Sequence, residues 1–173
     1  MSRRRLGLRK RLALNIFSDL YSSTVAEHRL DTLFWECTLR CNLSCLHCGS
    51  DCRSISNQPD MPVADFLKVI DQITPHVNPN RTMIIFTGGE ALLRKDIEVC
   101  GTELYHRGFP WGIVSNGMLL TSERLKSLLA SGLHSITISL DGFEGEHNWL
   151  RNNPRSYAAA TNAIKLLTNV QDV

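Results

Sequence analysis

The sequence predicts an α/β protein with a parallel sheet in which each strand is followed by a helix. Three observations predict it. Four short apolar or β-branched runs, at 33–37, 82–86, 111–114 and 135–140, alternate with four helix-patterned segments. The helical segments carry start and stop residues in the expected places. Each apolar run also ends in a small polar group, and in parallel α/β sheets that C-terminal edge is where ligands bind.

The first 32 residues stand apart by charge. They hold seven Lys/Arg against three Asp/Glu, whereas the remainder holds twelve against fourteen. Arg3, Arg4, Arg5, Arg9, Lys10 and Arg11 precede an apolar stretch that Asn15 interrupts, so a secretory leader is not expected. Leu8, Leu12, Ile16, Phe17 and Leu20 recur at helical spacing and predict an amphipathic helix. Such a basic, striped segment suits a membrane surface, but packing on its own domain is the expectation. The whole chain of 173 residues carries a net charge of only +2, too little to suggest nucleic acid. No uninterrupted apolar stretch is long enough to span a bilayer.

From residue 33 onward the elements follow in order. The first strand runs into a cysteine-rich loop. Pro62 after Asp60 opens a helix with Val63, Phe66, Leu67, Ile70 and Ile73 on one face. After the second strand, Asp96 starts a helix that Gly108 closes at C′. After the third, Thr121 is an N-cap for a helix with Leu125, Leu128 and Leu129 inward. The fourth strand leads through a polar stretch with Glu144, Glu146 and Arg151, read as a solvated loop. A helix striped by Tyr157, Ala160, Ile164 and Leu167 then begins after Asn153-Pro154.

The cysteine loop carries the chemistry. Cys41, Cys45 and Cys48 form a Cys-x3-Cys-x2-Cys run. Three thiolates so close in sequence can converge on one small metal centre, and a disulfide would join only two of them. Three readings of the residues stand. One is an iron–sulfur cluster on three cysteines, leaving one iron without a protein ligand. Another is structural zinc, with Cys52 or His47 as fourth ligand. The last is a ferredoxin-type electron-transfer cluster, from whose usual run this chain departs in its first gap and in having Arg53 where proline follows the last cysteine.

The run, together with its setting Cys-Asn-Leu-x-Cys-x-His-Cys, resembles the signature of the radical S-adenosylmethionine (radical SAM) enzymes. In detail it looks like their peptide- and protein-modifying branch, which often carries a C-terminal SPASM domain with further clusters. The resemblance implies a partial TIM-like (β/α) barrel with about four βα units of the usual six, behind a basic N-terminal helical segment at 1–32. It implies a [4Fe–4S] cluster on Cys41, Cys45 and Cys48, with S-adenosylmethionine on the open iron. Gly88, Gly89 and Glu90 match the motif that contacts the cofactor's amino group. Ser115, Asn116, Ser139 and Asp141 match groups near its carboxylate and ribose, and His47 matches a position near adenine. The implied reaction is reductive cleavage of the cofactor to a 5′-deoxyadenosyl radical that abstracts hydrogen from a peptide or protein. A flavodoxin- or ferredoxin-like donor would supply the electron, and the clustered free cysteines imply a reducing cytoplasm.

Each of these positions also has a local explanation. Gly88-Gly89 suits a tight βα turn, and Glu90 suits a helix start. Ser115-Asn116-Gly117 and Asp141-Gly142 are ordinary turn formers. Cys37 and Cys100 read as core thiols, and His76, His106, His134 and His147 show no ligand spacing. The family's last strands are absent from 33–173, so the chain is expected to be part of a longer enzyme. The alternative to a radical SAM core is a non-catalytic module holding zinc or an electron-transfer cluster.

Overall fold

The computed structural model describes residues 7–50 and 52–170, so Arg3, Arg4 and Arg5 of the basic run lie outside the described residues. The chain divides into two units, Met1–Leu30 and Asp31–Val173. Among its described residues, the first holds the helix α1 (Leu8–Glu27), along which Phe17 and Tyr21 stack one turn apart. Among the described residues, no helix is long and apolar enough to cross a membrane.

The second unit is a parallel α/β sheet with its helices. Its elements are β1 (Thr32–Thr38), α2 (Val63–Ile73), β2 (Met83–Gly88), α3 (Ile97–His106), β3 (Trp111–Ser115), α4 (Ser122–Ala130), β4 (Leu133–Ile138), α5 (Glu144–Leu150) and α6 (Ser156–Thr168). All strand pairs are parallel, in the order β1-β2-β3-β4. The sheet does not close. It is part of a (β/α) barrel.

Period-2 alternation along the strands decides which side is core. Trp35, Cys37, Ile84, Phe86, Trp111 and Ile113 are buried against Phe66 and Ile70 of α2, Ile97, Cys100 and Leu104 of α3, and Leu125 and Leu128 of α4. The alternate residues Phe34, Glu36 and Thr137 are exposed. Trp35 stacks flat on Phe66 at 3.7 Å and meets Phe86 edge-on at 5.3 Å, the arrangements that aromatic quadrupoles favour. At Gly101 of α3, a Cβ would strike the Trp111 indole, so that helix lies down on β3 only because the residue is glycine. The indole N–H donates to Ser131 O at 3.1 Å.

The helix signals act largely as read. Thr121 caps α4, its hydroxyl accepting from Arg124 N–H at 3.1 Å. Gly108 ends α3 at φ +81°, where only glycine is unstrained. Asp96 precedes α3 but makes no cap bond, because Arg94 takes its carboxylate with two hydrogen bonds of 2.9 and 2.8 Å.

The strand ends differ most from the sequence reading at β2 and β4. β2 continues past Phe86 because Thr87 and Gly88 find partners in Glu36 and Thr38. β4 begins earlier, at Leu133, which pairs with Trp111 before the register shifts. Ser139 and Leu140 therefore fall beyond the strand, although Ser139 N–H still donates to Ser115 O at 3.0 Å.

Candidate metal and cofactor centre

The cysteine loop is anchored to the sheet by backbone. Gly89 N–H donates to Thr38 O and Glu90 N–H to Arg40 O, both at 2.8 Å, which carries the β1–β2 ladder past the strand ends. Beyond that, Cys41 N–H donates to Arg53 O at 2.7 Å, and Arg53 N–H to Leu39 O at 3.2 Å. The loop thus leaves and returns alongside itself. The two glycines are needed for this approach: a Cβ on Gly88 would run into Thr38 O, and one on Gly89 into Arg40 O. Gly88 also holds φ +120°. Asp60 secures the returning segment by accepting from Thr38 Oγ1 at 2.7 Å and pairing with Arg40.

These constraints bring Cys41, Cys45 and Cys48 to the wall of one cavity of about 240 Å³. Cys52 and His47 line it too, with Gly88 and Gly89 from the end of β2, Asn116 from the end of β3 and Arg151 from just past α5. Two larger hollows, of about 480 and 560 Å³, lie away from the cysteines. Among the described residues, no group of three or more His, Cys, Asp or Glu is placed to hold a metal ion. The three cysteines instead share the wall of one open cavity, with space beside them for a group that carries its own bridging atoms. All six cysteines are free. Burial raises the Cys41 thiol above its ordinary value and, with the neighbouring Cys48 and Cys41, lifts Cys52 to about 11. Cys37 and Cys100 are raised by burial to about 12, as core thiols are.

The turns after β2 and β3 lock together behind this cavity. Glu90, only 1% exposed, accepts from Ser115 Oγ at 2.8 Å, Asn116 N–H at 2.8 Å and Leu92 N–H at 3.2 Å. Burial raises its carboxyl above the ordinary range, and the three hydrogen bonds pull it partly back. Glu90 therefore faces inward, capping the short 3₁₀ turn Ala91–Leu93, and neither it nor Ser115 lines the cavity. What they hold in place is Asn116, whose side-chain amide donates to Asn42 Oδ1 at 2.8 Å and points at Cys41 Sγ at 4.0 Å.

The stretch after β4 corrects the sequence reading. Glu144–Leu150 is the helix α5, not a solvated loop. Glu144 and Glu146 in its first turn complement the helix dipole, and His147, 1% exposed, packs edge-on to Tyr157. Leu46 N–H donates to Leu150 O at 2.8 Å, tying the end of α5 to the cysteine loop. Arg151 then grips Asp141 through Nε–Oδ2 at 2.6 Å and Nη2–Oδ1 at 3.1 Å, and its Nη1 lies 3.8 Å from Cys45 Sγ. Burial pushes the Asp141 carboxyl up, but the bonds and charge of Arg151 outweigh it and hold it below the usual range. Asp141 N–H donates to His147 Nδ1 at 3.2 Å, and burial keeps that imidazole below its ordinary value.

Of the residues singled out in the sequence, His47, Gly88, Gly89 and Asn116 share the cavity with the three cysteines. Asp141 reaches it through Arg151, while Ser139 sits one position past β4. Residues 35–172 match the family model described as the Radical SAM superfamily. The chain belongs to the radical SAM superfamily. Its members use a [4Fe–4S] cluster with S-adenosylmethionine, and the cavity's donors fit that pair: three thiols for the metal, and amide, backbone and guanidinium groups beside them.

Radical SAM relatives agree in fold and in sequence. The chain is 29% identical over 130 residues to the Fe-coproporphyrin III synthase of Methanosarcina barkeri, covering 75% of this chain and 32% of that protein. It is 31% identical over 144 residues to the mycofactocin maturase MftC of Mycolicibacterium smegmatis, covering 79% and 34%. Streptococcus suis SuiB has been solved with S-adenosylmethionine (TM-score 0.61, 16% identity, 83% of this chain, 33% of SuiB). It has also been solved with the precursor peptide SuiA (TM-score 0.60, 15% identity, 96% of this chain, 37% of SuiB). The chain spans about a third of the length of the curated relatives it matches.

Two residues at the cavity were named in the sequence without being placed there: Cys52 as a possible fourth zinc ligand, and Arg151 in a loop read as solvated. Arg151 is 106 positions from Cys45, and nothing in local spacing announces it. Cys52 was visible as a nearby cysteine, but only the Arg40–Arg53 bridge turns it onto the cavity wall.

Proposed function

We propose that this chain is the cofactor-holding part of a radical SAM enzyme that modifies a peptide or protein side chain. Cys41, Cys45 and Cys48 hold a [4Fe–4S] cluster by three thiolates, leaving one iron for S-adenosylmethionine. Bound there, the pair would supply the radical chemistry for hydrogen abstraction from the substrate. The backbone at Gly88-Gly89 and the Asn116 amide orient the small molecule. Arg151 gives the cavity a cation for a carboxylate, the strong kind of bond. Glu90 and Ser115 act through Asn116, fixing the wall instead of touching the ligand. Ser139 and Asp141 bound the same site from the β4 side, and His47 covers its outer rim.

The observation that carries the reading is that three thiols and the ends of β1, β2 and β3 meet at one cavity, with Arg151 from beyond β4. The peptide substrate is supported by the maturase relative and by SuiB's structure with a precursor peptide. An external one-electron donor of the flavodoxin or ferredoxin type and a reducing, cytoplasmic setting complete the proposal. Residues 1–32 would be a separate helical segment, and 33–173 the first part of the barrel.

Cys52 favours a second reading, because a fourth thiol on the same wall would close a four-sulfur site for zinc or for electron transfer. Anaerobic reconstitution separates the two. About four irons and four sulfides per chain, a brown colour and cleavage of added S-adenosylmethionine under a reductant support the radical enzyme. Stoichiometric zinc in a colourless sample, or iron that never cleaves the cofactor, would overturn it. Cys45→Ala should abolish iron uptake, and Cys100→Ala should not.

A further inference from the structure

We propose that Arg151 and Asp141 form an oriented ion pair that sets the reduction potential of the cluster on Cys41, Cys45 and Cys48. The proposal rests on the cluster assignment above and concerns a role that assignment does not include. Three observations carry it.

The guanidinium is fixed in place. Its side chain is 13% exposed, two of its nitrogens are committed to Asp141, and its backbone N–H closes α5 on His147 O at 2.9 Å. The adjoining residues bind the cysteine loop through Leu46 N–H to Leu150 O at 2.8 Å and Asn152 Nδ2 to Ser44 Oγ at 3.3 Å.

The pair has a direction. Its positive end, Nη1, lies 3.8 Å from Cys45 Sγ, while its negative end faces His147 Nδ1 at 3.4 Å and His47 Nε2 at 3.9 Å. The sulfurs are also unequally served. Cys41 meets a neutral amide at 4.0 Å, and Cys48 Sγ turns to Ser50 O at 2.9 Å. Among the described residues, only Cys45 has a cation at hydrogen-bond distance.

A positive charge beside a ligand sulfur favours the more negative, reduced cluster, and hydrogen bonds to sulfur act in the same sense. Asp141 moderates that effect by partly neutralising the cation. The two partners are therefore expected to move the potential in opposite directions. Arg151→Met keeps the stem and removes the charge, so the potential should fall. Asp141→Asn leaves the cation unneutralised, so it should rise. Arg151→Lys should stay closer to the unsubstituted chain than Arg151→Met does.

The test is a redox titration of the anaerobically reconstituted full chain, without S-adenosylmethionine, followed by the electron paramagnetic resonance of the reduced cluster. Opposite shifts in Arg151→Met and Asp141→Asn support the proposal, because a pair that merely packs α5 has no reason to give opposite signs. Unmoved potentials, or shifts in the same direction, overturn it. If Arg151→Met loses its iron, Asp141→Asn decides alone: a rise supports the proposal and anything else overturns it. Failure of the unsubstituted chain to take up iron and sulfide would sink the cluster assignment, and this proposal with it. A normal cluster with unmoved potentials sinks only this one.

Discussion

Glu90→Gln isolates the interaction that holds the cavity wall. Both carboxylate oxygens face a backbone N–H: Oε1 faces Leu92 at 3.2 Å, and Oε2 faces Asn116 at 2.8 Å. A glutamine has one carbonyl oxygen, so either orientation sets an NH₂ group against one buried donor. An unsatisfied buried donor costs about 1–3 kcal/mol, and the surviving bond also loses its charge assistance. Relief from burying a charge offsets part of this, and we expect a net loss of about 2–3 kcal/mol. For a unit the size of Asp31–Val173, that lowers the melting temperature by about 7–10 °C. The assay is thermal unfolding by circular dichroism at mildly alkaline pH, beside Glu103→Gln. Glu103 pairs with Arg107 at the surface, and its loss should cost no more than about 1 kcal/mol. If Glu90→Gln melts within the error of the unsubstituted chain, the carboxyl carries its own proton, and the arrangement of three donors around a carboxylate is wrong.

Gly89→Ala should destabilise the chain by about 2–4 kcal/mol, because the new methyl meets the Arg40 carbonyl, whose backbone cannot move without breaking the bonds that anchor the loop. Iron bound per chain should fall with it; full iron at an unchanged melting temperature would refute the close approach. Stability should also decline above about pH 9. Cys37 and Cys100, near 12 when folded, keep protons that the unfolded chain releases from about 9, so their contribution is complete below 9 and is lost as pH climbs toward 12. Urea unfolding across that window should show a steep loss that the Cys37→Ala, Cys100→Ala double variant flattens.

The parallel architecture was legible because βα units write it locally. Four strand-like runs, Pro62, Thr121 and Gly108 each act within a few residues of themselves. The cysteine grouping was legible for the same reason, since a gap of three and a gap of two leave little freedom. What could not be read depends on distant partners. Glu90 reads in the sequence as facing a ligand or starting a helix, and its bonds to Ser115 and Asn116, some 25 positions on, are written nowhere near it. The start of β4 is set by Leu133 finding Trp111, not by where the β-branched run begins. α5 is seven residues long and contains Gly145, so its local pattern is weak. Burial of His147 beneath Tyr157, and the union of Leu150 with the cysteine loop, make it a helix. Arg151 was hidden with it.

The order in which the cavity's parts occur along the chain has a consequence for how the protein is made. During synthesis the thiols of Cys41, Cys45 and Cys48 leave the ribosome well before Gly88, Asn116 and Arg151 exist to enclose them. A nascent chain therefore displays three bare sulfurs to any passing metal ion. Only when α5 has been extruded and has docked on Leu46 does the enclosure have all its sides, so the wall around these thiols is completed more than a hundred residues after Cys45.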